Sequence, residues 1–288
     1  VRMASGVSDA FRHCMDELRA GDRERYLSVL FAPAERRPAL AALYAYNLEL
    51  ARVRDRVSEP MPGEIRLQWW QEVVSGEREG EGRQHPVAAL LLDAVDACGL
   101  SRPALANMAE ARIFDLYDDP MPDRTALEGY LGETVSALFQ MSAQILDPSA
   151  AAGAADAAGH AGVAYGIAGL MGHAPLHRAR NQVYVPGDVL AAAGTDAAAW
   201  LAGEDRDAMA RVTTILVSLV HEHLSRAETG LGGLPASLKP AFLPLAVVKP
   251  LAARLEKAGA AHAREPVTLS PLRLHWLYLR RVLAGAGG

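Results

Sequence analysis

Arg37-Pro38-Ala39-Leu40-Ala41-Ala42-Leu43-Tyr44-Ala45-Tyr46-Asn47-Leu48-Glu49-Leu50-Ala51-Arg52-Val53-Arg54-Asp55-Arg56-Val57 is a run of helix formers with one apolar face. Leu40, Leu43, Tyr44, Asn47, Leu48, Ala51 and Val53 recur mostly at three- and four-residue steps, the spacing that stacks side chains on one side of an α-helix. Pro60, Pro62 and Gly63 follow and are expected to end it. Outward from this stretch the helical pattern repeats. Helices are predicted over 64–76, over 85–98 with Gly99 as the stop, over 101–117 with Pro103 in the first turn, and over 123–146. Gly76–Gly82 reads as a polar loop, and Asp118-Asp119-Pro120-Met121-Pro122 as a break. Beyond lie a small-residue helix over 154–172, a basic connector over 175–186, and helices near 197–201, 205–229, 239–258 and 271–283. β-branched runs and strand-like alternation are scarce, so an all-α fold is expected. No composition shift or internal repeat appears. Residues 21–288 are therefore expected to form one all-helical domain, with 1–20 an N-terminal extension leading into the first helix.

Half of the 288 residues are apolar and 22% are charged, a balance that belongs to a folded chain. The net charge of −5 offers no general electrostatic case for nucleic acid. Two cysteines, Cys14 and Cys98, are too few for a disulfide framework or a Cys-based zinc cluster, and suit a reducing compartment. The first six residues contain no apolar run, so no secretory signal is expected. Ala157–His177 lacks charge, but its glycines and Pro175 leave it too weakly apolar for a membrane span. There is no phosphate loop, no strand-linked dinucleotide fingerprint and no serine elbow. His221 and His223 sit about 200° apart on a helix, so His221-Glu222-His223 reads as an exposed polar face.

Three stretches together resemble the squalene/phytoene synthase family. The first is Arg25-Tyr26-Leu27 through Phe31-Ala32-Pro33, Arg36-Arg37 and the helix from Ala42 to Val53. The second is Glu64-Ile65-Arg66-Leu67-Gln68-Trp69-Trp70, and the third is Val183-Tyr184-Val185-Pro186 behind the small-residue helix Gly162–Gly169. The resemblance implies an isoprenoid-synthase-like helical bundle around a central cavity. Active members of the family join two prenyl diphosphates head to head, with Mg²⁺ held by two D-x-x-x-D motifs. The i, i+4 spacing aims both carboxylates of a motif at one spot, and Mg²⁺ prefers such oxygen ligands.

Here both motifs are replaced. The first aligns with Arg54-Asp55-Arg56-Val57-Ser58, so its acidic positions become Arg54 and Ser58, and Asp55 stands about 100° off the required face. The second falls on His173-Ala174-Pro175-Leu176-His177. A tyrosine the family carries near the next helix is replaced by Glu133. Losing two metal clamps is expected to cost on the order of 10⁴ or more in rate. No catalytic residue and no cofactor is therefore expected.

Asn47-x-Glu49-Leu50-Ala51, Asp55-x-Val57-Ser58-Glu59, Trp69-Trp70 and Pro175-Leu176-His177-x-x-Arg180 are similar to the family's non-catalytic branch, which is associated with respiratory complex I assembly. That resemblance implies a degenerate enzyme that binds an isoprenoid or other lipid-like ligand, or a partner protein in respiratory-complex assembly. The lack of an apolar leader and of a membrane span in the sequence leads to the expectation of a cytoplasmic chain that can touch the periphery of the inner membrane. Tyr44, Arg52, Trp69, Tyr130, Arg178, Arg180 and Tyr184 are the ligand-binding candidates. The alternative is an active Mg²⁺-dependent prenyltransferase with displaced metal ligands drawn from Asp55, Asp115, Asp118 and Asp119.

Several of these residues have plainer readings. Asp118-Asp119-Pro120 reads as a helix end and turn. Arg52 and Arg56, four apart, are as readily salt-bridged as anion-binding. His173 and His177 have i, i+4 metal spacing, but Pro175 lies between them. Gly162, Gly166 and Gly169 suit close helix packing. The last helix mixes Trp276 and Tyr278 with Arg273, Arg280 and Arg281, a composition for either a membrane interface or the core.

Overall fold

The computed structural model describes residues 2–286, and among these every regular element is helical. In chain order they are α1 (Arg2–Gly21), α2 (Arg23–Phe31), α3 (Arg37–Ala51), α4 (Pro60–Ser75), α5 (Glu79–Gly82), α6 (Pro86–Cys98), α7 (Arg102–Ala111), α8 (Arg124–Leu131) and α9 (Ala137–Leu146). There follow α10 (Ala155–Gly172), α11 (Ala174–Ala179), α12 (Gly187–Ala192), α13 (Ala197–Ala202), α14 (Arg206–Leu231), α15 (Val248–Ala258) and α16 (Pro271–Ala286). Contacts gather into two compact units. Unit 1 runs through Leu116 and adds Ala137–Ala155 and Leu234–Leu243; unit 2 holds Tyr117–Ser136, Asp156–Gly233 and the chain from Pro244 onward.

In unit 1, α3 is the central element and packs against α1, α6 and α9. Ten of its residues are buried, including Leu40, Leu43, Tyr44, Tyr46 and Leu50, because it is covered on more than one side. Tyr46 donates its hydroxyl to the Leu105 carbonyl at 2.7 Å, so the buried phenol keeps a partner. The first twenty residues, expected as an extension, are helical from Arg2, and Cys14 and Leu18 are fully buried. Burial pushes the Cys14 thiol up to about 12, which keeps it inert.

The boundary around Pro60 differs from the sequence reading. α3 stops at Ala51, a 3₁₀ turn covers Arg54–Arg56, and Val57 and Glu59 are extended. A residue before proline is pushed out of the helical region, whereas proline itself suits the first helical position. Pro60 therefore opens α4 instead of closing α3. Gly76 ends α4 with φ +99°, a left-handed cap that a side chain rarely tolerates.

In unit 2, α10 lies against the π-helical turn Gly132–Ser136 and the end of α8. A methyl group on Gly162 would strike the Ser136 backbone, and one on Gly166 would strike Leu131. Ser136 Oγ donates to the Gly159 carbonyl at 2.8 Å across this contact. The close-packing role holds for those two glycines, but nothing lies near the corresponding position of Gly169. α14 packs against α15 and α12. The basic connector expected over 175–186 is partly helical: Pro175 sits in the first turn of α11, and only 182–186 lies outside helix and turn.

Candidate functional site

Unit 2 brings several of the predicted residues together. The Val183 carbonyl accepts from the Met121 amide at 2.8 Å, which fixes the extended segment carrying Tyr184. Tyr184, largely buried, meets His177 edge-on at 4.7 Å between ring centres and Tyr130 at 5.9 Å. Beside them His177, Tyr184, Trp200, His262, Met171 and Leu216 line a cavity of about 30 Å³. That is room for about one water molecule, not for a prenyl chain. The buried His262 sets Nδ1 2.8 Å from the Gly259 carbonyl, which places its proton there, while Nε2 has no hydrogen-bond partner among the described residues. Burial lowers the His262 pKa.

Of the two connector arginines, Arg178 is engaged by the backbone of its own unit. Arg178 donates to the carbonyls of Leu201, at 2.8 Å, and Ala263. These close the last turn of α13 and the 3₁₀ turn Gly259–Ala263, so its guanidinium acts as a C-terminal cap for both. Burial and the nearby Arg264 hold the Arg178 pKa below its usual value. Arg180 stands at the end of α11 and is half-buried. His173 is exposed, with Nδ1 2.9 Å from the Gly169 carbonyl at the end of α10. His173 and His177 thus have separate surroundings, one at the end of α10 and the other against the Tyr184 ring.

In unit 1 the candidates are dispersed. Tyr44 is fully buried, receives the Ser142 hydroxyl at 3.0 Å and lies under the Arg25 guanidinium at 5.9 Å. Burial, the dominant cause, raises its pKa. Arg52 pairs with Glu17 at 2.6 Å, and Arg56 grips Glu49 through both terminal nitrogens at 2.5 and 3.1 Å. Two of the three arginines of this stretch are salt-bridged. Arg54, on the 3₁₀ turn, has its Nε buried without a hydrogen bond among the described residues, while Asp55 and Ser58 are exposed. Trp70 is in the core against Tyr46. Trp69 is half-exposed, sits against Trp70 and His85, and donates Nε1 to Glu81 at 3.3 Å.

The donor set does not fit Mg²⁺. At the four positions where the family's motifs supply carboxylates stand a guanidinium, a hydroxyl and two imidazoles. A cation repels the metal, and imidazole suits softer ions. The displaced ligands do not replace them: Asp115 is buried and paired with Arg112 at 3.1 Å, and Asp118 and Asp119 are exposed on the turn. Among the described residues no group of three His, Cys, Asp or Glu side chains is placed to hold a metal ion.

One polar cluster escapes the sequence reading. His223 is buried, not on an exposed face; only His221 is exposed, 3.1 Å from Glu256. His223 Nδ1 lies 3.0 Å from His160 Nδ1, and its Nε2 is 3.5 Å from Glu128 Oε1. His223 Nε2 makes no hydrogen bond among the described residues, and across the Nδ1–Nδ1 contact one imidazole donates and the other accepts. Glu128 is in turn 2.5 Å from Arg124, which approaches Glu222 at 3.7 Å, and Asp156 lies 3.9 Å from His160 Nε2. The available signal was periodic: Leu216, Leu219, Val220, His223 and Ala227 share one face of α14.

The squalene/phytoene synthase family model matches residues 18–274. A Rattus norvegicus protein named NADH dehydrogenase (ubiquinone) complex I, assembly factor 6 is 33% identical over 238 residues, covering 83% of this chain and 71% of its own. Its Drosophila melanogaster homolog is 26% identical over 287 residues, covering 92% and 82%. Among solved structures, squalene synthase HpnC from Alicyclobacillus acidocaldarius superposes with a TM-score of 0.74 at 16% identity, over 88% of this chain and 95% of that one. A dehydrosqualene synthase in complex with ligand superposes at 0.81 with 15% identity, over 98% of both chains. At such low identity these two structures speak for the fold alone, and they identify the all-helical arrangement as the isoprenoid-synthase type. Sequence match and fold agree over most of the chain, which belongs to the squalene/phytoene synthase family.

Proposed function

We propose that this chain is a non-catalytic member of its family that acts in assembly of respiratory complex I by binding a partner protein. The observation that carries this is the replacement of all four motif carboxylates by Arg54, Ser58, His173 and His177. A prenyl diphosphate ionises only if its leaving group is stabilised as charge develops, and without the motif carboxylates nothing at these positions holds the Mg²⁺ ions that do so in the family. The neighbouring Arg52, Arg56 and Arg178 are already engaged by Glu17, Glu49 and backbone carbonyls. The relatives named as complex I assembly factors supply the process.

The test is deletion of this chain from its host, with native electrophoresis and NADH:ubiquinone activity as readouts. Fully assembled complex I is expected to fall and subassemblies to accumulate. Complementation by Arg54→Ala/His177→Ala, which removes one side chain from each replaced motif, is expected to restore assembly. Unchanged complex I in the deletion strain contradicts the proposal.

A further inference from the structure

The last helix carries two opposed apolar faces. Leu274, Leu277 and Tyr278 are buried and attach α16 to unit 2. On the other side Leu272, Trp276, Leu279 and Leu283 are 85%, 56%, 48% and 63% exposed. At about 100° per residue these four fall within an arc of roughly 60°, and they run about 16 Å along the helix. A helix on the surface of a soluble domain normally turns polar residues outward, so this stripe is out of place in water.

Charge indicates what covers it. Arg273 and Arg280 flank the stripe on one side, roughly 80–100° from its start, and both are exposed. The Arg280 guanidinium lies over the Trp276 ring at 4.7 Å, so cation and aromatic edge share one level. The exposed His275 borders the other side. After Glu265 the sequence contains no Asp or Glu, although the whole chain has a net charge of −5. The α16 segment itself is therefore cationic on an acidic protein, with Glu228 of α14 near only its inward Arg281. Leucines and a tryptophan outward, with arginines at the margin, match an anionic lipid surface: the apolar stripe enters the acyl boundary and the guanidinium groups remain with the headgroups.

We infer that the outer face of α16 is a docking surface for an anionic lipid bilayer. The inference does not depend on the assembly role, and its test is independent of it. The full chain is sedimented with vesicles of phosphatidylcholine alone and of phosphatidylcholine mixed with phosphatidylglycerol. It is expected to sediment with the mixed vesicles, weakly with the neutral ones, and to be released by salt. Leu272→Ser/Leu279→Ser is expected to weaken binding about tenfold or more, and Arg273→Gln or Arg280→Gln about fivefold each. All of these side chains are exposed, so circular dichroism and melting are expected to be unchanged. Failure of the wild-type chain to sediment with mixed vesicles overturns the inference. So does wild-type binding by the Leu272→Ser/Leu279→Ser variant. Concentration-dependent self-association that these substitutions abolish, with no vesicle binding, would assign the stripe to a second copy of the chain instead.

Discussion

The buried imidazole of His223 links a proton to the packing of unit 2. Its pKa is lowered chiefly by burial, with His160 and Arg124 adding to the effect and Glu128 and Glu222 opposing it. Because the folded value lies below the ordinary 6.5, the unfolded chain binds the proton first as pH falls. Stability from this group is thus fully present above the unfolded value and declines on acidification below it. His262 and His85 are lowered by burial too and act with the same sign. We predict that the melting temperature falls between pH about 7.5 and about 5.5 and that His223→Leu makes this fall shallower. An unchanged slope in the variant would remove His223 from the account. This residue was only half legible in the sequence. Its position on the apolar face of α14 could be counted, but its partners His160 and Glu128 come from other helices. The same limit applies to Arg178: its basic character suggests phosphate, and only the fold reveals the two carbonyls it caps.

Helices were the most legible level, and their ends the least. Gly99 and Ser101 mark the end of α6 and the start of α7 as the sequence indicates, because a left-handed cap and a hydroxyl N-cap are local chemistry. Pro60 and Pro175 misled for the opposite reason. Proline both ends and begins helices, and which role it takes depends on whether the preceding residues can leave the helical path. This matters for the site, since Arg54 and Asp55 lie on a 3₁₀ turn and the facing geometry expected of an i, i+4 motif is absent there. The small-residue face of α10 gives the sharpest test at this scale. We predict that Gly162→Ala, which drives a methyl into the Ser136 backbone, destabilises the protein by about 1–3 kcal/mol. Gly169→Ala, with open space around it, should be neutral or slightly stabilising. Chemical denaturation of both variants measures the contrast, and equal effects would contradict the close-packing role.

At the scale of the molecule, family membership was readable because ordered fragments from Arg25 to Pro186 keep their spacing. The two compact units were not, since units assembled from discontinuous segments leave no composition boundary. Function at this scale turns on what the family scaffold has lost. The most direct measurement is turnover of labelled farnesyl diphosphate by the purified chain, with and without Mg²⁺. The account predicts no head-to-head product above the protein-free blank in either condition. Mg²⁺-dependent formation of such a product, abolished by replacing Asp55 or Asp115, would contradict it and show that displaced carboxylates still hold the metal.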